Sequence, residues 1–325
     1  MLGLSVTVIT LYLLWPSMLS LFSAWPDLAT IDPGWFVAML AAEAASFVCM
    51  WGLVRVTVRT DNLLAVATSH VAGNAMSRIV PGGAAAGPAL QFRMLERAGI
   101  PIAKVASGLT AATLVGAATL LFLPVLSIPA ALLGGPVPSG LAQATVFGVL
   151  VFVALLGAGA VFLAADGPLE LTARAFQWVD NRVRRREQPK TGTPERWVRE
   201  RNDLRRTLGS SWWKAVLYAT GNSLFDFLAL LATLSAVGSS PRPTLVLLGY
   251  VAARILGQVP ITPGGIGFVE AGLTGMLVLA GVSATDAVLA TLAYRLVSFW
   301  LPLPAGLAAF ALYRKRYGGR ESVEI

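Results

Sequence analysis

The residues Thr262-Pro263-Gly264-Gly265-Ile266-Gly267-Phe268-Val269-Glu270-Ala271 interrupt an otherwise apolar run from Thr244 to Ala280. Proline fixes φ and carries no N–H, and the glycines beside it add freedom, so a helix stops at Pro263-Gly264-Gly265. The flanking pieces, Thr244 to Val259 and Ile266 to Ala280, are each short of the ~20 apolar residues that a spanning helix needs. The same design occurs upstream. A helical run ends at Arg78-Ile79-Val80, Pro81-Gly82-Gly83 stops it, and a second run follows from Ala84 to Arg97. Broken backbone survives at membrane depth only where protein or a watery cavity satisfies its polar groups. The pattern predicts two hairpins that enter the bilayer and turn inside it. For the first, one span with a kink is the alternative.

Working outward, the whole chain reads as a lipid-solvated molecule. Its 325 residues are 56% hydrophobic and 13% charged, with a mean hydropathy of +0.69. Soluble domains carry about 25% charged residues. Spanning runs are expected at Leu2–Ala24, Trp35–Val58, Lys104–Leu123, Gly140–Ala165, Trp212–Val237 and Thr285–Tyr313, with a short loop from Asp27 to Pro33. The fold class is therefore an all-α polytopic membrane protein with about six spanning helices and two re-entrant hairpins. It forms a single membrane domain over 1–325, with a first repeat at 35–133 holding hairpin 62–98 and a second at 211–313 holding hairpin 244–281. Between them, 166–210 is arginine-rich. It reads as a pair of basic amphipathic helices at anionic headgroups, or else as a solvated loop.

The repeat has a sequence basis. Placing Pro81-Gly82-Gly83 on Pro263-Gly264-Gly265 aligns Ala98-Gly99-Ile100 with Ala280-Gly281-Val282 without a gap. With a small shift, His70-Val71-Ala72 falls on Tyr250-Val251-Ala252. The net charge of +8 is concentrated in the middle segment, at Arg314-Lys315-Arg316 and beside the first hairpin at Arg55, Arg59, Arg97 and Lys104. The positive-inside bias places these in the cytoplasm. Counting spans then puts the base of the first hairpin inside and that of the second outside, beside Ser239, Ser240 and Ser283. The tips should approach each other near the midplane, the inverted-repeat plan of many transporters.

Ionisable groups at depth are costly and mark functional candidates. Glu270 follows the second tip by about a turn and a half, and Arg295 lies midway along the last span, where the two could pair. Arg78 precedes the first tip. Arg254 stands about three turns before the second and could snorkel outward. Glu43 and Asp226 hold loosely corresponding places in the two repeats. Each of these residues could instead serve structure alone, as an ion pair or an interhelical hydrogen bond. His70 reads as a packed interior histidine, and Gly83, Gly87, Gly267 and Gly272 as close-packing positions. One histidine and one cysteine, Cys49, exclude a His cluster, a disulfide framework and a Cys-based zinc site. G-x-S-x-G, P-loop, H-E-x-x-H and Rossmann patterns are absent. No enzyme activity, catalytic residue, metal or cofactor is expected.

Asn74 ahead of Pro81-Gly82-Gly83, the Thr262–Ala271 segment and the stretch from Tyr294-Arg295-Leu296 to Pro302 resemble the lysylphosphatidylglycerol synthase transmembrane-region family. That family includes the flippase region of bacterial multiple peptide resistance factors and stand-alone relatives. The resemblance covers nearly the whole chain and is most specific at the second Pro-Gly-Gly. At the first, Ala84 to Ala86 replace the polar or glycine positions often found there. It implies a lipid-translocating domain in the bacterial cytoplasmic membrane. Its path would be lined by Arg78, Glu270, Arg295, Arg254, Asp226, Glu43 and Asn74, with membrane lipids, anionic ones foremost, as partners. The chain ends at Ile325, so no aminoacyl-transfer activity is implied. Nucleic acid is not an expected partner; a second copy or a partner enzyme is compatible. Two rival functions are a proton-coupled transporter of a small polar solute and a non-transporting accessory subunit of a lipid-modifying enzyme.

Overall fold

The computed structural model describes residues 25–80, 83–123, 209–256 and 263–318, with isolated positions at Leu19, Ser23 and Asn202. The expected spans at 2–24 and 140–165, nearly all of the basic segment 166–210, and tip residues Pro81 and Gly82 lie outside the described residues. Every regular element among the described residues is a helix, and the chain is an all-α polytopic membrane protein.

A helical turn at Trp25–Leu28 occupies the start of the expected loop. Helix α1 (Pro33–Val58) begins where Asp32 accepts a hydrogen bond from the Gly34 N–H (2.7 Å), with Pro33 at the first helical position. It ends at Arg59 in left-handed backbone. Helix α2 (Leu63–Ile79) is capped by Asn62, whose Oδ1 accepts from the Ala65 N–H (3.1 Å). Helix α3 (Gly83–Arg97) folds back on α2, and α4 (Ile102–Phe122) follows. The second half repeats the order: α5 (Trp212–Ala236), α6 (Pro243–Leu256), α7 (Phe268–Leu279) and α8 (Ala284–Arg295). A π-helical turn at Leu296–Trp300 joins α8 to α9 (Pro302–Tyr317).

Length separates two kinds of helix. Helices α1, α4, α5 and the joined α8–α9 are long and apolar enough to cross a membrane. Their outward faces carry exposed Leu and Trp side chains, such as Trp213, Leu217, Leu224 and Leu228 along α5. That stripe suits lipid contact. The hairpin helices α2, α3, α6 and α7 have 17, 15, 14 and 12 residues. They reach only about 25 Å at most, against a hydrocarbon thickness of about 30 Å.

The spans α1 and α5 pack closely and run antiparallel. Contacts pair Gly52 with Tyr218, Cys49 with Gly221 and Ser46 with Asn222, so one index rises as the other falls. Ser46 Oγ donates to the Asn222 carbonyl (3.0 Å), and Asn222 Nδ2 donates to Ser46 Oγ (2.8 Å). The α1–α2 loop and the α5–α6 loop consequently lie at opposite ends of this helix pair. Helices α2 and α9 are antiparallel as well. Arg78 meets the π turn at one end, and Tyr317 Oη donates to Asn62 Oδ1 (2.9 Å) at the other. The last contact brings Arg314-Lys315-Arg316 to the end of the bundle that holds Arg55 and Arg59.

Two apolar cores result. One gathers Leu53, Val66, Leu95 and Val105 around the first hairpin. The other gathers Leu230, Val246, Leu273 and Ala290 around the second. Glycine permits the closest approaches: a Cβ at Gly73 would stand 2.9 Å from the Gly87 carbonyl oxygen, which gives Gly87 its packing role.

Candidate functional site

Where the hairpins meet, polar side chains are gathered from α1, α2, α5, α6, α7 and α8. The second tip, Pro263–Gly265, packs against both α2 and α3. Gly264 has φ +60°. A Cβ there would lie 3.4 Å from the Arg78 Cα and collide with the Phe299 ring. Gly264→Val should therefore lower the melting temperature in detergent, through both left-handed strain of about 1–2 kcal/mol and the collision. Gly275→Ala, in α7 with nothing within 4 Å of its Cβ, should be neutral or stabilising by up to ~1 kcal/mol. Equal melting shifts for both would remove the close approach of the tip to Arg78.

Glu270 and Arg295 lock the second tip. Arg295 Nε donates to Glu270 Oε1 at 2.7 Å, and its Nη2 reaches the Gly264 carbonyl at 3.4 Å. Glu270 Oε2 accepts from the Gly267 N–H at 2.7 Å, satisfying a donor at the start of α7. Arg295 is only 7% exposed. Its guanidinium lies 4.1 Å from the Phe299 ring centroid, a cation–π contact. The expected pair forms, and both partners also hold tip backbone.

Arg78, at the end of α2, holds the π turn. Its Nη1 donates to the carbonyls of Ser298 (2.6 Å) and Phe299 (2.7 Å), and its guanidinium lies 5.1 Å from the Phe299 ring centroid. Those carbonyls are available for local reasons. Leu301 N–H bonds Leu296 five residues back (3.0 Å), the π register, and Pro302 and Pro304 bring no N–H. A long-range side chain thus completes a span that its own backbone leaves open.

Both oxygens of Asp226 are engaged. Tyr294 Oη donates to its Oδ1 (2.7 Å), Tyr250 Oη donates to its Oδ2 (2.8 Å), and Arg254 Nη1 pairs with Oδ2 at 3.0 Å. Arg254, which could have snorkelled outward, turns to Asp226 instead. A carboxylate that is 3% exposed draws the guanidinium inward, where the Coulomb attraction is screened least. Arg254 still keeps 38% of its side chain exposed, and its Nε finds no partner among the described residues. Glu43, 9% exposed, lies beside Asp226, and its Oε2 has no partner among the described residues. Asn74 Oδ1 and His70 Nδ1 are buried without partners among the described residues too, and the His70 ring packs edge-on to Phe47 (5.5 Å).

The structure thus brings Arg78, Arg295, Glu270, Arg254, Asp226 and Glu43 to the meeting place of the hairpins. Sequence reading missed the roles of Tyr250, Tyr294, Phe299, Ser46 and Asn222. The signal for the last two was present: Ser46 stands three residues after Glu43, and Asn222 four before Asp226, helical spacings in apolar spans.

Spanning helices with lipid-facing apolar flanks and interior charges, two short hairpins and no strand among the described residues define a polytopic α-helical membrane protein. The chain belongs to the family described as the lysylphosphatidylglycerol synthase TM region, whose profile matches residues 2–306. It is also similar to two proteins of Methanothermobacter thermautotrophicus, each named a UPF0104 membrane protein. One is 27% identical over 90 residues and the other 31% over 91. Each match covers 28% of this chain and about a quarter of the relative, 27% and 26%.

Proposed function

We propose that this protein translocates a phosphate-bearing lipid, a phospholipid or a polyprenyl-phosphate-linked lipid, across a bacterial cytoplasmic membrane and acts as a transporter rather than an enzyme. The observation that carries the reading is the gathering of three guanidiniums, Arg78, Arg254 and Arg295, where the two hairpins meet. A planar guanidinium donates two hydrogen bonds to a phosphate, and burial strengthens such contacts. Arg254 has donor capacity left and a partly exposed side chain, so it is the first of the three to meet a headgroup. Arg78 and Arg295 hold the tips and line the constriction.

The hairpins re-enter the bilayer from opposite faces, and rocking one repeat against the other alternates access to the constriction. The antiparallel pairing of α1 with α5 and the packing of the second tip on the first hairpin support this plan. Single cysteines at Asp61 and Ser240, both exposed, test it in a background lacking Cys49. An impermeant maleimide should label Asp61→Cys only from the cytoplasm and Ser240→Cys only from outside. Labelling of both from one side would end the inverted-repeat reading. The functional test is lipid translocation in reconstituted liposomes, with mass spectrometry of lipid retained by gently purified protein. No retained phosphate-bearing lipid and no translocation would overturn the proposal.

A further inference from the structure

Four buried polar atoms without partners among the described residues lie along one seam between α1 and α2: Trp51 Nε1, His70 Nδ1, Asn74 Oδ1 and Glu43 Oε2. Their order follows from helical spacing. Glu43, Phe47 and Trp51 share one face of α1, and His70, Asn74 and Arg78 one face of α2, at intervals of four. The helices are joined by a short loop and the Phe47–His70 contact sets their register, so a turn in each direction brings Asn74 to Glu43 and Trp51 toward the loop. Buried polar atoms are normally satisfied by protein or ordered water. Four in a row mark a place where water belongs.

The second repeat shows what the equivalent positions do when closed. Aligned with His70, Tyr250 bonds Asp226; aligned with Asn74, Arg254 pairs with the same carboxylate. The first repeat substitutes an imidazole and an amide, and its carboxyl keeps an open oxygen. Of the three acidic groups at the site, Asp226 and Glu270 have a partner on each oxygen, and Glu43 Oε2 has none among the described residues.

We propose that the α1–α2 seam is a water-lined proton path from the Arg55–Arg59 end of the bundle to Glu43, and that Glu43 is the proton carrier that couples lipid movement to a proton gradient. This rests on the translocation reading above and adds its energy source. One proton adds to the Glu43 carboxylate and leaves it unchanged chemically on release toward the other face. The groups around it make that proton consequential. Asp226 faces it from α5, Arg78 from α2 and Arg254 from α6, with Tyr294 at the end of α8; His70 stands one turn of α2 before Asn74, against Phe47, and Arg295 stands beyond Arg78, paired with Glu270. Past Lys104, α4 carries no ionisable residue. Protonated Glu43 can donate a hydrogen bond to Asp226, whereas ionised Glu43 repels it and attracts Arg78 and Arg254. Each state therefore favours a different arrangement of the guanidiniums that would meet a phosphate.

The full chain should be reconstituted in vesicles of bacterial polar lipid holding a pH-sensitive dye and a trace of fluorescent phosphatidylglycerol. An imposed pH gradient should drive proton movement and accelerate lipid translocation. Glu43→Gln should abolish both gradient effects, Glu43→Asp should restore part of each, and Asn74→Leu should slow proton movement. Wild-type protein that moves lipid indifferently to the gradient and carries no protons overturns the proton path and leaves the translocation reading standing. Proton movement that depends on Glu43, with no lipid movement, overturns the translocation reading and keeps the path. If Glu43→Gln does not fold, Asn74→Leu and Glu43→Asp decide: wild-type proton rates in both overturn the path.

Discussion

Arg78→Met should destabilise the protein by about 2–4 kcal/mol, because two carbonyls lose their donor and each buried unsatisfied group costs about 1–3 kcal/mol. Methionine fills much of the same volume, so the loss is one of hydrogen bonds and of the stack on Phe299 rather than of packing. Pro302 and Pro304 remove two of the N–H groups that would follow the carbonyls of Ser298 and Phe299, so Leu303 is the one backbone donor left between them and cannot replace both bonds. Arg78→Lys should cost less, because an ammonium still donates to one or both oxygens while the planar contact with Phe299 disappears. Thermal melting in detergent separates the two variants. Equal melting temperatures for wild type and Arg78→Met would show that the guanidinium does not bind the π turn.

That same contact shows how far the sequence could be read. The breaks at Pro81-Gly82-Gly83 and Pro263-Gly264-Gly265, and the four long apolar helices, follow from local rules about proline, glycine and hydrophobic length. The pairing of Glu270 with Arg295 was legible because two opposite charges at similar depth have few alternatives. The π turn was not. Pro302 and Pro304 announce missing donors, but nothing local says that a guanidinium 220 residues away in sequence supplies them. The partner of Arg254 was not legible for a related reason. Snorkelling is the default for an arginine near a helix end, and only the fold shows Asp226 within 3.0 Å, already organised by Tyr250 and Tyr294. Long-range polar contacts depend on which helix faces meet, and periodicity identifies a face without naming its partner.

Glu270→Gln and Arg295→Gln should each cost about 3–5 kcal/mol, the usual penalty for leaving one member of a buried pair alone. The double substitution should recover most of that, and the cycle of four variants measures the coupling directly. Recovery will be incomplete for a reason visible in the geometry. Glu270 also accepts from Gly267 and Arg295 also reaches Gly264 and the Phe299 ring, contacts that the partner's replacement does not restore. Glutamine can keep the bond to Gly267 through its carbonyl oxygen, so the residual deficit falls mainly on the arginine side, at about 1 kcal/mol per lost hydrogen bond. Translocation divides what stability cannot. A purely mechanical lock predicts that activity returns with the melting temperature in the double variant. An arginine that also receives the lipid phosphate predicts a double variant that is nearly as stable as wild type and does not translocate. Full translocation in both single variants would remove the pair from the path and leave Arg254 as the headgroup's contact.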